Sequence, residues 1–468
     1  MRLTFVLICL LIIGLGTNVT AAPIPSDRLN GDWFGELNVP GGVLHIQLTV
    51  KEEAGGALSA NLVSIDQGGT VIPVTTVVAA NDSLHLTVTA LSGSYHGKLV
   101  GAGDAAEIQG NWSQGGPPLP LTFKRTGKPP EPKRPQTPTE PYPYKEESVS
   151  YKNVSAGATL AATLTIPNGK GPFPAVLLIT GSGSEDRNET VAGHKPFLVI
   201  ADYLTRRGIA VLRADDRGVG GSTGDPTVST KDLAGDVVAG MAFLKSRSEI
   251  DPKQIGLVGH SDGANIGSIA ATESKDVAFL VMLGGMGLVG EQVLYLQGWR
   301  MLETQGAAKS VVDQNKALQE GLYAAVKTEA DKPALTNRIR EVAKTAGREM
   351  SEAEINATAE TIGSPWFRYF LTFDPAPVLK QVHCPVLALY GEKDTQVTPK
   401  ENAPAVEAAL KGAGNKDVTV RVLPGLNHLF QTSQTGSVNE YNQIEETFAP
   451  AALTQIGDWI AAHTQKKS

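Results

Sequence analysis

Two five-residue stretches of this chain have the form Gly-x-Ser-x-Gly: "GHSDG", centred on Ser261, and "GGSTG", centred on Ser222. The form matters because a serine between two glycines can be lifted clear of its own backbone and used as a nucleophile. It also arises by accident. The chain has 50 glycines in 468 residues. With serine at roughly 6%, chance alone supplies about 0.3 such matches, so at least one of the two is expected to be incidental. Ser261 directly follows the apolar run "IGLVGH", and the small-residue run "GANIGSIAAT" begins two residues later. That is strand, tight turn, helix. In so sharp a turn a side chain at Gly259 or Gly263 would strike the neighbouring strand or helix, which gives both glycines a steric reason. Ser222 lies in "DDRGVGGSTGDP", a long glycine-rich loop followed by Pro226, with no helix straight after it. It reads as a turn residue.

A nucleophilic serine needs a base, and the base needs an acid to orient it. The chain has eight histidines. His45, His85 and His96 fall in a β-rich N-terminal region. His260 is locked in the turn itself, His383 precedes a strand and His463 lies in the C-terminal tail. His194, near the start of a helix, is a weaker candidate than His428, which stands in "LPGLNHLF" after the last strand. Loops at the carboxyl ends of parallel strands are where ligands meet an open α/β sheet. The same rule selects Asp394 in "YGEKDTQV", with Glu392 as the fallback acid. The order Ser261, Asp394, His428 is that of the α/β hydrolases. A single Gly-x-Ser-x-Gly is weak, whereas three such positions, each just past the carboxyl end of a strand, form a strong signal.

The negative charge developing on the acyl oxygen needs two preorganised N–H donors. The backbone N–H of Asp262, next to the nucleophile, is one. The other is expected from the loop "TGSGSEDRN" after the first parallel strand, with Ser182 the first choice by position and Gly181 the second.

These residues need a scaffold. After Glu146 two β-like runs lead into apolar strands separated by helical patterns: "PAVLLIT", "IAVLRAD", "IGLVGH", "FLVMLGG", "VLALYGE" and "VTVRVLPG". Continuous apolar strands joined by helices indicate an α/β fold, its mostly parallel sheet covered on both faces. From about 288 to 380 the rhythm gives way to a helix-like, strand-poor insertion, expected to cap the site. Its aromatic patch "SPWFRYFLTF" is expected to pack the cap onto the core. Cys384, at the mouth of a strand, reads as a small buried apolar residue.

Ahead of this domain, 28–126 alternates apolar and polar residues with period two, as in "HIQLTV" and "SLHLTVTAL". A small antiparallel β-domain, barrel or sandwich, follows from that pattern. Trp33 and Trp112, in matching Gly-polar-Trp steps, are expected on neighbouring strands as core residues. Between the domains, 127–145 carries "PPEPKRPQTPTEPYP" and reads as an extended, semi-rigid linker. Residues 1–21 read as a secretory signal peptide: Arg2, an apolar Leu3 to Gly16 too short to span a bilayer comfortably, and small residues for cleavage after Ala21. The expectation is a bacterial periplasmic or secreted protein with no stable membrane span. The chain is 41% hydrophobic with a net charge of −7. It has no basic stripe, so no nucleic-acid partner is expected. Without a His-Glu-x-x-His motif or Cys/His cluster, neither metal nor cofactor is expected. The oligomeric state stays open.

From Glu146 onward the chain resembles bacterial α/β-hydrolase-fold serine esterases, including the serine aminopeptidase-like group. "GSGSEDRN" is similar to that group's Gly-Ser-Gly-x-x-Asp-Arg loop, and "DDRGVGGSTG" to its Asp-x-Arg-Gly-x-Gly-x-Ser loop, which makes Ser222 structural. "GHSDG", "YGEKDTQV" and "LPGLNHLF" occupy the positions of nucleophile, acid and base. Within the group the chain looks most like the EstD-like carboxylesterases, which also carry a small N-terminal β-domain. It departs from many relatives in having Thr180-Gly181 where they have His-Gly. The resemblance implies a serine hydrolase acting on a small-molecule carboxylic ester through an acyl-enzyme. Two alternatives stay open. One is an aminopeptidase-like exopeptidase, which would need an acidic anchor such as Glu291 or Glu303 for the substrate amine. The other is a binding protein with a vestigial hydrolase domain.

Overall fold

The structure, a computed structural model, describes residues 28–39, 42–65, 71–91, 93–114, 117–125 and 133–464. The expected signal peptide lies outside them. The chain divides into two compact units, with most of the first 128 residues in one and Pro129–Ser468 in the other.

The first unit is one antiparallel sheet. Its strands are β1 (Gly31–Val39), β2 (Gly42–Glu52), β3 (Leu58–Ser64), β4 (Val71–Pro73), β5 (Thr76–Ala80), β6 (Ser83–Val88), β7 (Gly93–Val100), β8 (Glu107–Ser113) and β9 (Leu119–Lys124). Their order is β4-β3-β2-β1-β9-β8-β7-β6-β5. The two ends of that order are joined by Val74 and Thr75, whose N–H groups donate to Ala60 on β3 and Thr87 on β6. The sheet therefore curls until its edges meet. Alternate residues fill the inside, with Trp33, Leu48, Leu84, Leu86, Tyr95 and Phe123 fully buried. Trp33 and Trp112 are not on neighbouring strands as expected. β9 pairs with both β1 and β8 and so runs between them, because the closing hairpin returns through the gap. Both rings are core: the Trp33 indole donates to the Leu29 carbonyl at 2.8 Å, and Arg125 lies over its face at 4.2 Å.

The second unit is built on β10 (Lys145–Asn153), β11 (Ala158–Ile166), β12 (Phe173–Ile179), β13 (Ala210–Ala214), β14 (Ile250–His260), β15 (Leu280–Leu283), β16 (Val386–Gly391) and β17 (Val418–Leu423). The order is β10-β11-β13-β12-β14-β15-β16-β17. The pairs formed by β11 are antiparallel and all later pairs are parallel. Successive residues of a strand point to opposite faces, and both faces are covered, which is why the runs are continuously apolar. Leu177, Leu257 and Ala388 pack beneath α2 (Thr230–Lys245), α3 (Asp262–Glu273) and α10 (Pro399–Gly412). Val176, Val258 and Leu389 pack beneath α1 (Pro196–Arg206) and α11 (Pro450–Thr464).

Between β15 and β16 stand α4 (Gly290–Thr304), α5 (Lys309–Thr328), α6 (Lys332–Thr345), α7 (Glu352–Gly363), α8 (Pro365–Thr372) and the short α9 (Pro375–Leu379). The helical cap has its own core, including Leu322, Leu335, Ile339, Ile355 and Leu371. The aromatic helix α8 joins that core to the sheet's: Phe367 and Leu371 belong to the first, Phe370 to the second.

A second expectation needs correction. Residues 133–144 are docked onto the second unit rather than standing free as linker. Arg134 donates to the carbonyls of Ala192, Asn442 and Ile444 at 2.8–2.9 Å. Gln136 donates to Phe448 O and accepts from the N–H groups of Thr447 and Phe448. Proline leaves a segment short of backbone donors, and here long polar side chains make the bonds instead.

Candidate active site

β14 ends at His260 and α3 begins at Asp262, leaving Ser261 alone to turn the chain. It does so with φ 55° and ψ −121°, outside the regions that non-glycine residues ordinarily occupy. Such strain persists only where surrounding structure enforces it, and it gathers at functional sites. The enforcement is visible. Ser261 N–H donates to Leu283 O at 2.8 Å. A β-carbon at Gly259 would lie 2.1 Å from Gly263 O, and one at Gly263 would lie 2.2 Å from Ile179 O. The turn therefore closes only with glycine at both places.

Asp394 follows β16, and His428 follows β17. His428 Nδ1 lies 2.7 Å from Asp394 Oδ2, with both side chains buried. The other Asp394 oxygen accepts the N–H groups of Gln396 and Val397 at 2.8 Å, so the carboxylate cannot rotate. Nδ1 must donate to it, which leaves Nε2 as the basic nitrogen. Glu392 is exposed and accepts instead from Gly425 N–H at 2.8 Å. A β-carbon at Gly284, after β15, would lie 3.4 Å from His428 Nδ1 and from Asp394 Oδ2, so β15 ends against the pair. His428 also meets the turn through His260, whose Nε2 is 3.0 Å from His428 O.

The loop after β12 runs against the serine: a β-carbon at Gly181 would lie 3.4 Å from Ser261 Cβ. The Gly181 N–H is not available to an oxyanion, however. It donates to Glu189 Oε1 at 2.8 Å, which removes Gly181 from the expected donors. Among the described residues, the N–H groups of Ser182 and Asp262 have no acceptor. The loop is anchored from below by Asp216, which accepts from Thr180 Oγ1 and Glu185 N–H, each at 2.9 Å. Burial pushes the Asp216 carboxyl up to about 7. The Asp262 side chain is also buried, and burial raises its pKa. It accepts from Thr230, Asn265 and, at 2.8 Å, the Trp366 indole of α8. The residue beside the serine is thereby tied to the cap.

The remaining candidates are engaged elsewhere. His194 is fully buried, with Nε2 2.8 Å from Tyr441 O and Nδ1 2.9 Å from Thr447 Oγ1. Burial lowers its pKa to about 4. Ser222 Oγ donates to Asp215 O and accepts from Ala161 N–H, both at 2.8 Å. Glu291 is paired with Lys327 and Glu303 with Arg300. Burial pushes the Cys384 thiol up to about 12. Glu189, Asp216 and Trp366 were not singled out from the sequence, where no spacing links them to the serine. Among the described residues no group of three or more His, Cys, Asp or Glu side chains could hold a metal ion, and no helix is long and apolar enough to cross a membrane.

The sheet order, the strained serine between β14 and α3, and the acid and histidine after β16 and β17 define an α/β-hydrolase-fold enzyme. Residues 195–433 match the family model described as serine aminopeptidase, S33, and the chain belongs to that family. It is similar to esterase EstD of Thermotoga maritima, with 30% identity over 320 residues covering 67% of this chain and 68% of that protein. Among solved structures it resembles a Pyrococcus furiosus esterase, with TM-score 0.42 and 15% identity over 68% of this chain and 91% of that one. A proline iminopeptidase-related protein of Thermus thermophilus gives TM-score 0.41 and 20% identity over 68% of this chain and 98% of that one.

Proposed function

We propose that this hydrolase cleaves carboxylic esters through Ser261, His428 and Asp394. Ser261 Oγ attacks the acyl carbon while its proton passes to His428 Nε2. The N–H groups of Asp262 and Ser182 receive the negative charge on the acyl oxygen. The bond to the alcohol oxygen then breaks, and His428 returns the proton to that oxygen. Water repeats the sequence on the acyl-enzyme, restoring Ser261 and releasing the acid. Asp394 keeps the proton on Nδ1 and stabilises the imidazolium. The observation that carries this reading is the buried 2.7 Å pair of His428 and Asp394 in the loops beside a serine held at φ 55°.

An exopeptidase would need a free carboxylate for the substrate amine. The two cap acids considered for that role are already neutralised by Lys327 and Arg300. The cap favours short acyl chains, because Phe367, Phe370, Leu371 and Phe373 are consumed by packing. The apolar N-terminal run directs export, with cleavage after Ala21. The test is fluorophosphonate labelling followed by peptide mapping, which should place the label on Ser261. A p-nitrophenyl ester series from acetate to palmitate, run beside amino-acid anilides, should peak among the short esters. No label at Ser261 overturns the mechanism, and a maximum at laurate or beyond overturns the chain-length preference.

A further inference from the structure

Two buried groups beside the reacting atoms have no part in that reaction. His260 Nδ1 is 2.9 Å from Glu189 Oε1, and His260 Nε2 is 3.0 Å from the carbonyl oxygen of His428. The carbonyl can only accept, so Nε2 carries a proton; with Glu189 ionised, Nδ1 carries one too and the ring is an imidazolium. Burial alone would disfavour that charge, but the Glu189 carboxylate overrides it and holds the His260 pKa up at about 9. The same Glu189 oxygen accepts the Gly181 N–H. Glu189 adopts φ 52°, a left-handed conformation uncommon for a residue with a β-carbon. Its loop is pinned there: the Asp186 carboxylate accepts from the N–H groups of Asn188 and Thr190, and Arg187 is paired with Asp215. Phe197, Leu283, Leu429 and Phe448 wall the space around the pair.

We propose that the His260–Glu189 ion pair is a positioning device. It fixes three things to one another: the serine turn, through the bond from His260 to its neighbour Ser261; the base loop, through His428 O; and the loop bearing the second oxyanion donor, through Gly181 N–H. The positioning role rests on the proposed roles of Ser261 and His428, while the charge on His260 does not. The pair is electrically neutral as a unit. The other ionisable groups acting on His260 are Glu185 from the loop after β12 and Asp394 from the loop after β16, and the His428 ring centroid lies 4.7 Å from its own. Removing only the imidazolium leaves Glu189 as a lone negative charge near His428. That charge favours protonated His428 and raises the pH at which activity falls on the acid side.

The test uses the full chain with 15N-labelled histidine, the His260 signals being those missing from His260→Gln. Both His260 nitrogens should be protonated at pH 7.5 and stay so until near pH 9. A neutral ring at pH 7.5 overturns the charged pair. Kinetics are referred to the serine fraction titrated by fluorophosphonate, so partial misfolding does not count as lost turnover. Glu189→Gln and His260→Gln should each lower kcat about a hundredfold with KM within about threefold, as for a site whose transition-state donors have moved. Glu189→Asp should recover part of that loss. The acid limb should move to higher pH in His260→Gln and return in the double variant. Unchanged kcat per titrated serine, with only the melting temperature lowered, reduces the pair to packing and overturns its positioning role. An active Ser261→Ala would instead sink the triad assignment and leave the His260 signals as they are.

Discussion

The two Gly-x-Ser-x-Gly loops are alike in letters and opposite in physics. At Ser261 the glycines make room, since Gly259 and Gly263 sit where a β-carbon would overlap a backbone oxygen at 2.1–2.2 Å. At Ser222 the glycines supply backbone conformation as well as room, with Gly220 at φ 53° and Gly224 at φ 112°, where β-carbons would also strike the Asp215 carboxylate and Ala158. Ser261 is held in strain at a strand end beside a histidine and its acid. Ser222 is buried, and its hydroxyl both donates to and accepts from fixed backbone groups. A hydroxyl whose single proton is already held by a fixed carbonyl has none to hand to a base. Reactivity in such a motif is thus decided by what surrounds the serine, and the glycines report only what geometry the backbone needs.

The sharpest way to break this contrast is at the serines themselves. Ser261→Ala should lower ester turnover by about 10⁶-fold, because nucleophile and base act as one unit. Should Ser222→Ala prove to be the inactive variant while Ser261→Ala turns over, the two loops have been assigned the wrong way round. The acids offer a second contrast of the same kind. Asp394→Asn should keep the fold, checked by circular dichroism, yet lower turnover by about 10⁴-fold as the imidazole takes the wrong tautomer. Glu392→Gln, whose carboxylate only meets Gly425 N–H, should stay within about tenfold, an effect no larger than roughly 1.4 kcal/mol. The reverse ranking in steady-state kinetics would move the acid to Glu392.

Ser222→Ala should also stay within about tenfold in turnover. Its effect belongs in stability, at about 1–3 kcal/mol, because Ala161 N–H loses its acceptor in a part-buried site. Urea unfolding measures this, and a drop in turnover with unchanged stability would give Ser222 a chemical role. The smallest effect concerns whether the reactive loop is self-sufficient. All the proposed reacting groups lie after Glu146, so a chain starting at Pro129 should retain turnover on a small soluble ester within about tenfold. A chain starting at Lys145 loses the Arg134 and Gln136 bonds to the 442–448 segment and should melt lower, by roughly 2–4 °C for each kcal/mol lost. Equal melting temperatures for the two would mean that the docked segment contributes nothing.

What was legible in the sequence is what neighbouring residues decide among themselves. Period-two alternation marks a sheet with one dry face, continuous apolar runs mark strands covered on both, and a serine between a strand and a small-residue helix with glycines at 259 and 263 marks the turn. Each signal is carried within about ten residues, because pleat, helical period and steric room are local properties. The positions of Asp394 and His428 could be read from the rule that parallel strands deliver their following loops to one edge. The tertiary structure alone decided which groups meet at that edge. Glu189 comes from 71 residues before His260, and His428 O from 168 residues after it. Their meeting takes Gly181 N–H away from the reaction and turns a histidine set aside as part of the turn into a charged one. Arg134 finds Ile444 at a separation of 310 residues, converting the end of a proline-rich stretch into part of the domain. No spacing records such encounters, since they depend on the order in which strands lie across the sheet and on which loops that order brings side by side.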